Sequence, residues 1–513
     1  MQNNYSSDIM AAPVLSKNKK YMNKQSVLIH RSQSQRLTNV LFAFLAIFLW
    51  LLSTAAKAET YPWVWLGKDD IQVSEHAKVE AEFRLHLIAN AKETIDIVTF
   101  DQRLDQDIGL PLLQALEVAA KRGIQIRFAA AWLSGLLNDM SRSTERYLRG
   151  LAACYPNFKY IAVGGQPMWR QGWGVIDGIH QKIFLVDNKI SLVSGRGHAG
   201  EYLGWLDTAF FYKGALVDQT REAFEQMWQT VGRESVLQFK SGRSLTNSAA
   251  AELPRQRALA ASPSLKLSKE EKEELAELKT WAEAPASNNH DYQARSIYYN
   301  FLEQMRRQAD HQDRTPKSFS YEERAEFLQD PYIEAVLMLL PQTKRFQMNI
   351  LATIMDERVV EAILRERQRG MEMELITNGQ EAHSIFPTAP GWFAGIHILD
   401  DLLQAGVVGH EVKQMGPDTG IYLHRKLLIL DDHVFFGSHN FTKAGTLTTE
   451  EYSIEILSQD FADKMRKLSR HSIEVNTVPF DANAVHQERL ITPARQWFAS
   501  FFEVLYLKKS KKN

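Results

Sequence analysis

The sequence predicts an α/β fold in which two similar domains pack about a pseudo-twofold axis. Three observations indicate it: strands alternate with helices, the same order of elements occurs twice, and one polar motif occurs in both halves. The chain has 513 residues, of which 45% are hydrophobic, so it can form two cores. We therefore expect one domain at residues 59–245 and a second at residues 296–490.

Residues 1–58 have the pattern of an export signal. Basic residues precede an apolar run at residues 40–52, and Ala56 to Ala58 form a small-x-small cleavage pattern. The alternative is an uncleaved anchor, but about a dozen apolar residues are fewer than the ~20 that span a bilayer. Met22 is an alternative start of the chain. We predict cleavage after Ala58 and an exported protein, either periplasmic or associated with the membrane through this segment.

The charge of the predicted mature part argues against general nucleic-acid binding. Residues 1–58 carry seven Lys and Arg residues and one acidic residue, Asp8, so the remainder has 53 basic and 60 acidic residues and a net charge of −7. Nucleic-acid backbones are held by clustered Lys and Arg side chains. Nucleic acid is therefore not expected as a partner, although local basic patches remain open.

The sequence shows no signal for a cofactor. Cys154 is the only cysteine, so an internal disulfide is excluded. No Cys and His residues have zinc-site spacing, and no Gly-rich phosphate loop precedes a helix. We expect neither a bound metal nor a bound nucleotide.

The first domain begins with a helix at residues 79–92 and a strand at residues 94–100. A second helix ends at Gly123, which can form a left-handed cap, and the next strand follows at residues 124–128. This alternation is typical of an α/β sheet.

The second domain repeats this plan. A strand at residues 345–350 is followed by a helix at residues 356–369, by Gly370 as its cap, and by a strand at residues 371–376. An Arg-Gly pair ends the helix in both halves. The repeat therefore predicts two domains with the same topology.

We assign no catalytic role to two segments outside the domains. The linker at residues 246–295 is rich in Ala, Ser and Pro up to residue 264, and then forms a charged helix behind a capping box at Ser268 and Glu271. The aromatic and basic tail at residues 491–513 could lie on an anionic membrane or pack as a terminal helix. Two interpretations are likewise left for Trp169 and Trp173: they form the rim of an acyl-chain cleft, or they belong to the core.

One motif, His-x-Lys-x-x-x-x-Asp, occurs at residues 180–187 and again at residues 424–431. Because His and Lys are two residues apart, their side chains leave the same face of a strand, and a turn then leads to a second apolar strand. The second copy continues into a corner where Ser438 and Asn440 can donate hydrogen bonds to an anion. Folding alone does not require this grouping.

These residues resemble the phospholipase D superfamily, which is marked by two such motifs and a Gly-Ser-x-Asn corner. The nearest likeness within it is to cardiolipin synthases and related two-motif bacterial phosphatidyl transferases. The resemblance implies two phospholipase D-like α/β domains that bring His180 and His424 together.

The resemblance also implies the roles of individual residues. His180 would attack phosphorus to form a phosphohistidine, while protonated His424 would give its proton to the leaving alcohol; the residues alone do not rank the two. The motif residues that carry over as the catalytic set are His180, Lys182, Asp187, His424, Lys426 and Asp431, of which the aspartates are mainly structural in the family. The lysines also carry over as phosphate-binding positions, as do Ser438 and Asn440. Arg196 of the first corner is a further candidate for phosphate binding. Asp207 and Glu451 would support the histidines.

Two departures from the family pattern concern the corners. In the first half the corner reads Ser194 to Gly197, so the asparagine of the family's Gly-Gly-Arg-Asn is missing, and Arg196 or His198 would replace its donor. In the second half the strand between Asp431 and Gly437 is one residue shorter than usual.

The leading hypothesis is an exported enzyme that cleaves a glycerophospholipid through phosphohistidine, by cardiolipin synthase-like transfer or by phospholipase D hydrolysis. Its partners would be the phospholipid substrate and a membrane surface; protein partners are not predicted. One alternative is a secreted nuclease, which the net negative charge opposes. The other is a pseudoenzyme that only binds lipid or a partner, which the missing asparagine at Gly197 suggests.

Overall fold

The computed structural model describes residues 59–131, 139–164, 177–239, 265–287, 289–379, 389–412 and 421–491. The predicted export signal, the linker up to residue 264, Trp169, Trp173 and all of the tail after residue 491 lie outside these ranges. Among the described helices, none combines the length and the apolar character needed to cross a membrane.

The first half alternates strands and helices, as its sequence predicts. Its elements are β1 (Glu59–Thr60), β2 (Val64–Leu66), β3 (Ile71–Ser74), α1 (Ala77–Asn90), β4 (Thr94–Thr99), α2 (Gly109–Lys121), β5 (Gln125–Ala131), α3 (Asp139–Cys154), β6 (Phe158–Val163), β7 (Gly178–Ile179), β8 (Ile183–Val186), β9 (Ile190–Ser194), β10 (Trp205–Leu206), β11 (Ala209–Tyr212) and α4 (Ala215–Phe239).

The charged helix and the second half follow. Their elements are α5 (Lys269–Glu283), β12 (Tyr292–Tyr299), α6 (Phe301–His311), α7 (Tyr321–Phe327), α8 (Pro331–Leu339), β13 (Arg345–Asn349), α9 (Glu357–Gln368), β14 (Glu372–Asn378), α10 (Ala389–Gln404), β15 (Val408–Val412), β16 (Tyr422–Leu423), β17 (Leu427–Leu430), β18 (His433–Gly437), α11 (Lys443–Thr448), β19 (Thr449–Leu457), α12 (Gln459–Asn476), β20 (Thr477–Pro479) and α13 (Ala482–Ile491).

Each half contributes one mixed sheet, and the two sheets share a strand order. The first runs β3-β11-β9-β8-β4-β5-β6, and the core of the second runs β12-β19-β18-β17-β13-β14-β15. At equivalent places the pairs are parallel in both sheets, as in β4 with β5 and β13 with β14. The predicted α/β fold with a repeated topology is therefore confirmed.

Local signals in the sequence correspond to the observed helix ends. Gly123 and Gly370 have φ values of 91° and 97°, the left-handed conformation that only glycine adopts without strain. Ser268 and Glu271 form the predicted capping box, in which the Ser268 hydroxyl accepts from the Glu271 N–H at 3.1 Å. Leu275 and Leu278 of the charged helix are buried in the core of the first half, so this helix has one packed face.

An edge strand crosses the border between the halves. β1 and β2, which the predicted boundary at residue 59 assigns to the first domain, pair with β12 of the second sheet. β12 itself begins at Tyr292, inside the predicted linker. The two halves also share apolar core, where the rings of Phe210 and Phe436 stack with their centroids 3.7 Å apart. Their relative position is thus fixed by sheet pairing and by burial.

Candidate active site

Two short parallel strand pairs join the halves and hold the motif histidines. β7 pairs with the start of β19, and β10 pairs with β16. Immediately after these pairs, the His180 N–H donates to the Glu450 carbonyl at 3.0 Å and the His424 N–H donates to the Leu206 carbonyl at 2.9 Å. Each His-Lys segment is an extended connection between two strands rather than part of a strand. The backbone of each motif is therefore positioned by the opposite half.

The side chain of each histidine is also bound by an acid of the opposite half. His180 Nδ1 lies 2.9 Å from Glu451 Oε1, and His424 Nδ1 lies 2.9 Å from Asp207 Oδ2. All four side chains are buried. A carboxylate at Nδ1 fixes the tautomer with its proton there, so that Nε2 carries the lone pair. Asp207 and Glu451 thus contact the histidines, as the resemblance implies.

The motif lysines lie beside the histidines, and Asn440 joins one of them. Lys182 Nζ is 3.1 Å from His180 Nε2 and donates to the His180 carbonyl at 2.7 Å. Asn440 Nδ2 is 3.4 Å from the same His180 Nε2. Lys426 donates to the His424 carbonyl. An ammonium donor and an amide donor therefore lie beside the reactive nitrogen of His180.

Burial and the lysine charges leave both imidazoles neutral in the empty site. Desolvation, with a smaller contribution from Lys182, lowers the pKa of His180 to about 4 even though Glu451 opposes the shift. Desolvation and Lys426 lower the pKa of His424 to about 3 against the effect of Asp207. Each lysine also lowers the pKa of the histidine of the opposite half. The two motifs therefore form one electrostatic site.

The motif aspartates do not belong to this site, which corrects their place in the predicted catalytic set. The Asp187 carboxylate accepts the N–H groups of Lys92, Glu93 and Thr94 at distances of 2.7 to 3.1 Å. The Asp431 carboxylate accepts the N–H of the residue before β13 at 3.0 Å and that of the first residue of β13 at 2.9 Å. Each aspartate is separated from its histidine by a four-residue strand, about 13 Å long. Asp187 and Asp431 join the motif hairpin to the neighbouring strand.

Arg196 does not replace the missing phosphate donor, contrary to the prediction. Its guanidinium is 2% exposed and donates to Glu80 at 2.7 Å and to the backbone carbonyl of Asp207 at 2.7 Å. It also contacts the Glu75 and Trp205 carbonyls. The sequence did not reveal this role because Glu80 is 116 residues away. Arg196 therefore helps to position Asp207 by holding its backbone carbonyl.

His198, the other suggested replacement, does not supply the missing phosphate donor either. Its Nδ1 lies 2.8 Å from Gln102 Oε1, and its backbone pairs with Asp101 and Arg103. Burial lowers the pKa of His198 well below its usual range, so it supplies no cationic donor.

The missing asparagine has a steric explanation. A Cβ atom on Gly197 would lie 2.7 Å from the Asp101 carbonyl oxygen and 3.0 Å from the Tyr202 ring. A Cβ on Gly195 would lie 2.2 Å from Asp207 Oδ2. Strand register makes Gly195 and Gly197 the counterparts of Ser438 and Asn440. Glycine at these two positions therefore leaves room for the neighbouring side chains and backbone, and the site is asymmetric.

Ser438 has a different place from the one predicted. Its side chain is completely buried, and its hydroxyl donates to the Glu451 carboxylate while accepting the Tyr452 N–H at 3.0 Å. Ser438 therefore orients Glu451 behind His180. Of the predicted corner donors, Asn440 is the one that reaches a reactive histidine nitrogen.

Comparison with known families gave one match, in the second half of the chain. The family model described as "Cardiolipin synthase, PLD-like domain" matches residues 339–472, which include the second motif, its corner and Glu451. This part of the chain is therefore similar to a phospholipase D-like domain. The first motif lies outside the match, but it has the same hairpin, the same lysine and the same reciprocal acid. The search of curated proteins gave no match to this sequence.

One solved structure shares the fold of most of the chain. Phosphatidylserine synthase from Haemophilus influenzae Rd KW20 is similar with a TM-score of 0.57 and 14% identity, over 86% of this chain and 96% of that one. Polyphosphate kinase from Porphyromonas gingivalis gives a TM-score of 0.41 and 9% identity, over 77% and 49% of the two chains. The phospholipase D family member Nuc from Salmonella typhimurium gives 0.24 and 17%, over 29% and 91%.

Aromatic residues that the sequence analysis did not assign surround the two histidines. The Phe100 ring lies 4.9 Å from His180, and the Lys182 ammonium lies 5.4 Å from the Phe100 centroid. Trp205 lies 4.9 Å and Tyr202 lies 6.0 Å from His424. The one available signal was the position of Trp205 two residues before Asp207.

Among the described residues no cluster of three or more potential metal ligands was found, and the absence of a cofactor stays a prediction.

The lysines predict an alkaline limit to substrate capture. Burial lowers the pKa of Lys182 to about 8 and that of Lys426 to about 7, so their ammonium charges are lost as the pH rises through about 7 to 8. Because kcat/KM reports the ionisation of the free enzyme, it should fall tenfold or more between about pH 7 and pH 9. A bound phosphate anion holds the lysine protons, so kcat should fall less. The measurement is kcat/KM as a function of pH.

The matched control is Lys426→Arg, whose guanidinium stays charged over this range. In this variant the alkaline fall of kcat/KM should shift to higher pH, towards the pKa of Lys182. A kcat/KM that stays constant to about pH 10 in the unsubstituted protein would contradict the role of the lysines.

Proposed function

We propose that this member of a family of phospholipid synthases and phosphodiesterases is an enzyme that cleaves glycerophospholipids through a phosphohistidine. The observation that carries the proposal is the reciprocal pairing of each motif histidine with an acid of the opposite half. Two neutral imidazoles with fixed tautomers, beside two lysines, form a site suited to a phosphodiester anion.

In the first step His180 Nε2 attacks phosphorus and the bond to the leaving oxygen breaks. The Nδ1 proton of His180 remains hydrogen-bonded to Glu451, which stabilises the positive charge that develops on the ring. His424, once protonated, gives its Nε2 proton to the leaving alcohol. The anionic substrate supplies negative charge near Lys426, which raises the pKa of His424 from its low value in the empty site.

In the second step His424 Nε2 acts as the base. It takes the proton of an incoming alcohol or water, whose oxygen attacks phosphorus while the bond from phosphorus to His180 breaks. An alcohol gives a new phosphodiester, and water gives phosphatidic acid. The two histidines return to their starting protonation states.

The asymmetry of the site supports His180 as the nucleophile. Asn440 and Lys182 both approach its Nε2, and they would hold the oxygens of the phosphoryl group attached there. The equivalent place beside His424 lacks an asparagine because Gly197 has no space for a side chain. The Trp205 ring lies on this side, packed against the buried Tyr202, and its apolar surface suits the carbon body of an alcohol better than a phosphoryl group.

The substrate class and location are proposed from sequence and family. The family model is described as cardiolipin synthase-like, and phosphatidylserine synthase shares the fold. Both names concern phospholipid headgroups. Together with the predicted export signal, they support a phospholipid substrate at a membrane surface, in the periplasm or at its boundary.

The test is incubation of the protein with acyl-labelled phosphatidylglycerol in mixed micelles, with separation of cardiolipin, other phosphatidyl esters and phosphatidic acid. Any of these products, formed by the unsubstituted protein and lost in both His180→Ala and His424→Ala, supports the proposal. Cleavage of DNA without lipid turnover would favour the nuclease alternative. Lipid binding without any product would favour the pseudoenzyme.

A further inference from the structure

The strand pairs beside the two histidines differ in one respect. Trp205 is in register with Tyr422 where β10 meets β16. At the pseudosymmetric place, where β7 meets β19, Gly178 is in register with Thr449. One side of the site therefore carries two aromatic rings where the other carries a glycine and a threonine.

The aromatic pair forms a wall beside His424. The Trp205 ring lies 5.0 Å from Tyr422, 4.9 Å from His424 and 4.5 Å from Tyr202. Trp205 and Tyr422 are both partly exposed, whereas Tyr202 is buried. We call Trp205 and Tyr422 the aromatic wall. Through Trp205 it contacts His424, which exchanges protons with the leaving and entering groups in the proposed reaction.

The His180 side has a different chemistry. Phe100 contacts His180, but the Lys182 ammonium and the Asn440 amide both lie at its Nε2. Beside His424 the position equivalent to Asn440 is Gly197, where Asp101 and Tyr202 leave no space for an amide side chain. The polar side therefore suits phosphoryl oxygens, and the aromatic side suits carbon.

We propose that Trp205 and Tyr422 form the acceptor subsite and favour an organic alcohol over water at the phosphohistidine. The inference rests on the proposed function and extends it from phosphodiester cleavage to transfer. An alcohol with a carbon chain covers apolar ring surface that water leaves exposed, so its entry is favoured by burial. The alcohol oxygen forms the bond to phosphorus, His424 takes its proton, and the bond to His180 breaks.

The experiment measures product ratios with the full chain. Acyl-labelled phosphatidylglycerol is supplied with methanol, ethanol, propanol or butanol at equal concentration, and phosphatidyl alcohol is compared with phosphatidic acid. In the unsubstituted protein the ratio of transfer to hydrolysis should rise with each added carbon. Trp205→Ala and Tyr422→Ala should each lower the ratio for butanol about tenfold, as expected for lost contact with a small apolar group.

Two controls separate the subsite from folding and from the reaction itself. Trp65→Ala removes an indole that is 49% exposed on β2 and should leave the ratio unchanged. Trp205→Phe keeps an aromatic face and should restore most of the ratio. A flat response of the unsubstituted protein to alcohol length, or unchanged ratios in both alanine variants while turnover persists, would overturn the acceptor subsite alone. Absence of every phospholipid product from the unsubstituted protein would overturn the proposed function and the inference with it.

Discussion

Replacing His180 by alanine is expected to lower phospholipid turnover by about 10⁴-fold or more, because the covalent route loses its nucleophile. The lysines, Asn440 and His424 would remain, so substrate binding should change far less than kcat. The measurement is steady-state turnover of labelled phosphatidylglycerol. His290→Ala removes an exposed histidine and should retain full activity.

His424→Ala should distinguish the role of the nucleophile from that of the general acid and base. Loss of a general acid and base costs about 10²- to 10⁴-fold when the leaving group is an alcohol. A p-nitrophenol ester needs no protonation to leave, so His424→Ala should still release nitrophenol in a first turnover, whereas His180→Ala should not. Release by His180→Ala and none by His424→Ala would contradict the assignment of the nucleophile.

Asp330→Ala is expected to lower the free energy of unfolding by about 3 kcal/mol, the largest stability effect we predict. Asp330 is almost completely buried, and its Oδ2 lies 2.6 Å from His439 Nε2 and 3.1 Å from the Thr446 hydroxyl. Its other oxygen accepts the first N–H groups of α8, at 3.0 and 3.4 Å. Truncation removes a helix cap and leaves a buried imidazole N–H unpaired.

The matched control for this prediction is Asp356→Ala. Asp356 caps α9 through the Arg358 N–H at 2.9 Å but does not hold a buried histidine, so about 1 kcal/mol should be lost. Urea unfolding measures both variants. Equal losses would show that the contact from Asp330 to His439 adds nothing beyond the cap. Because His439 lies between Ser438 and Asn440, Asp330→Ala should also lower turnover.

The sequence predicted the parts of the fold that depend on local pattern. Gly123 and Gly370 mark helix ends because only glycine enters their left-handed conformation without strain. The motif hairpins could be predicted from the apolar run between each Lys and Asp. The pairing of β10 with β16 could not, because two-residue strands carry no periodic signal and join residues 217 positions apart.

The candidate site was predicted in its residue types but not in all their roles. His180, His424, Lys182, Lys426, Asn440, Asp207 and Glu451 lie where the resemblance implies. Arg196 does not, because its ion-pair partner Glu80 is distant in sequence. Gly197 has no side chain for a reason that only the positions of Asp101 and Tyr202 reveal. The roles of Arg196 and Gly197 were missed because they depend on contacts with distant residues that no motif in the sequence marks.

The central claim is that two histidines from different halves act on one phosphorus atom. Its most direct test is mass spectrometry of His424→Ala after brief reaction with a diacyl phosphatidyl-p-nitrophenol, followed by rapid quenching at alkaline pH. The expected result is one phosphatidyl group on each molecule, attached to His180 and absent from the protein that also carries His180→Ala. A covalent adduct that persists without His180, or nitrophenol release by His424→Ala without any adduct, would contradict the claim.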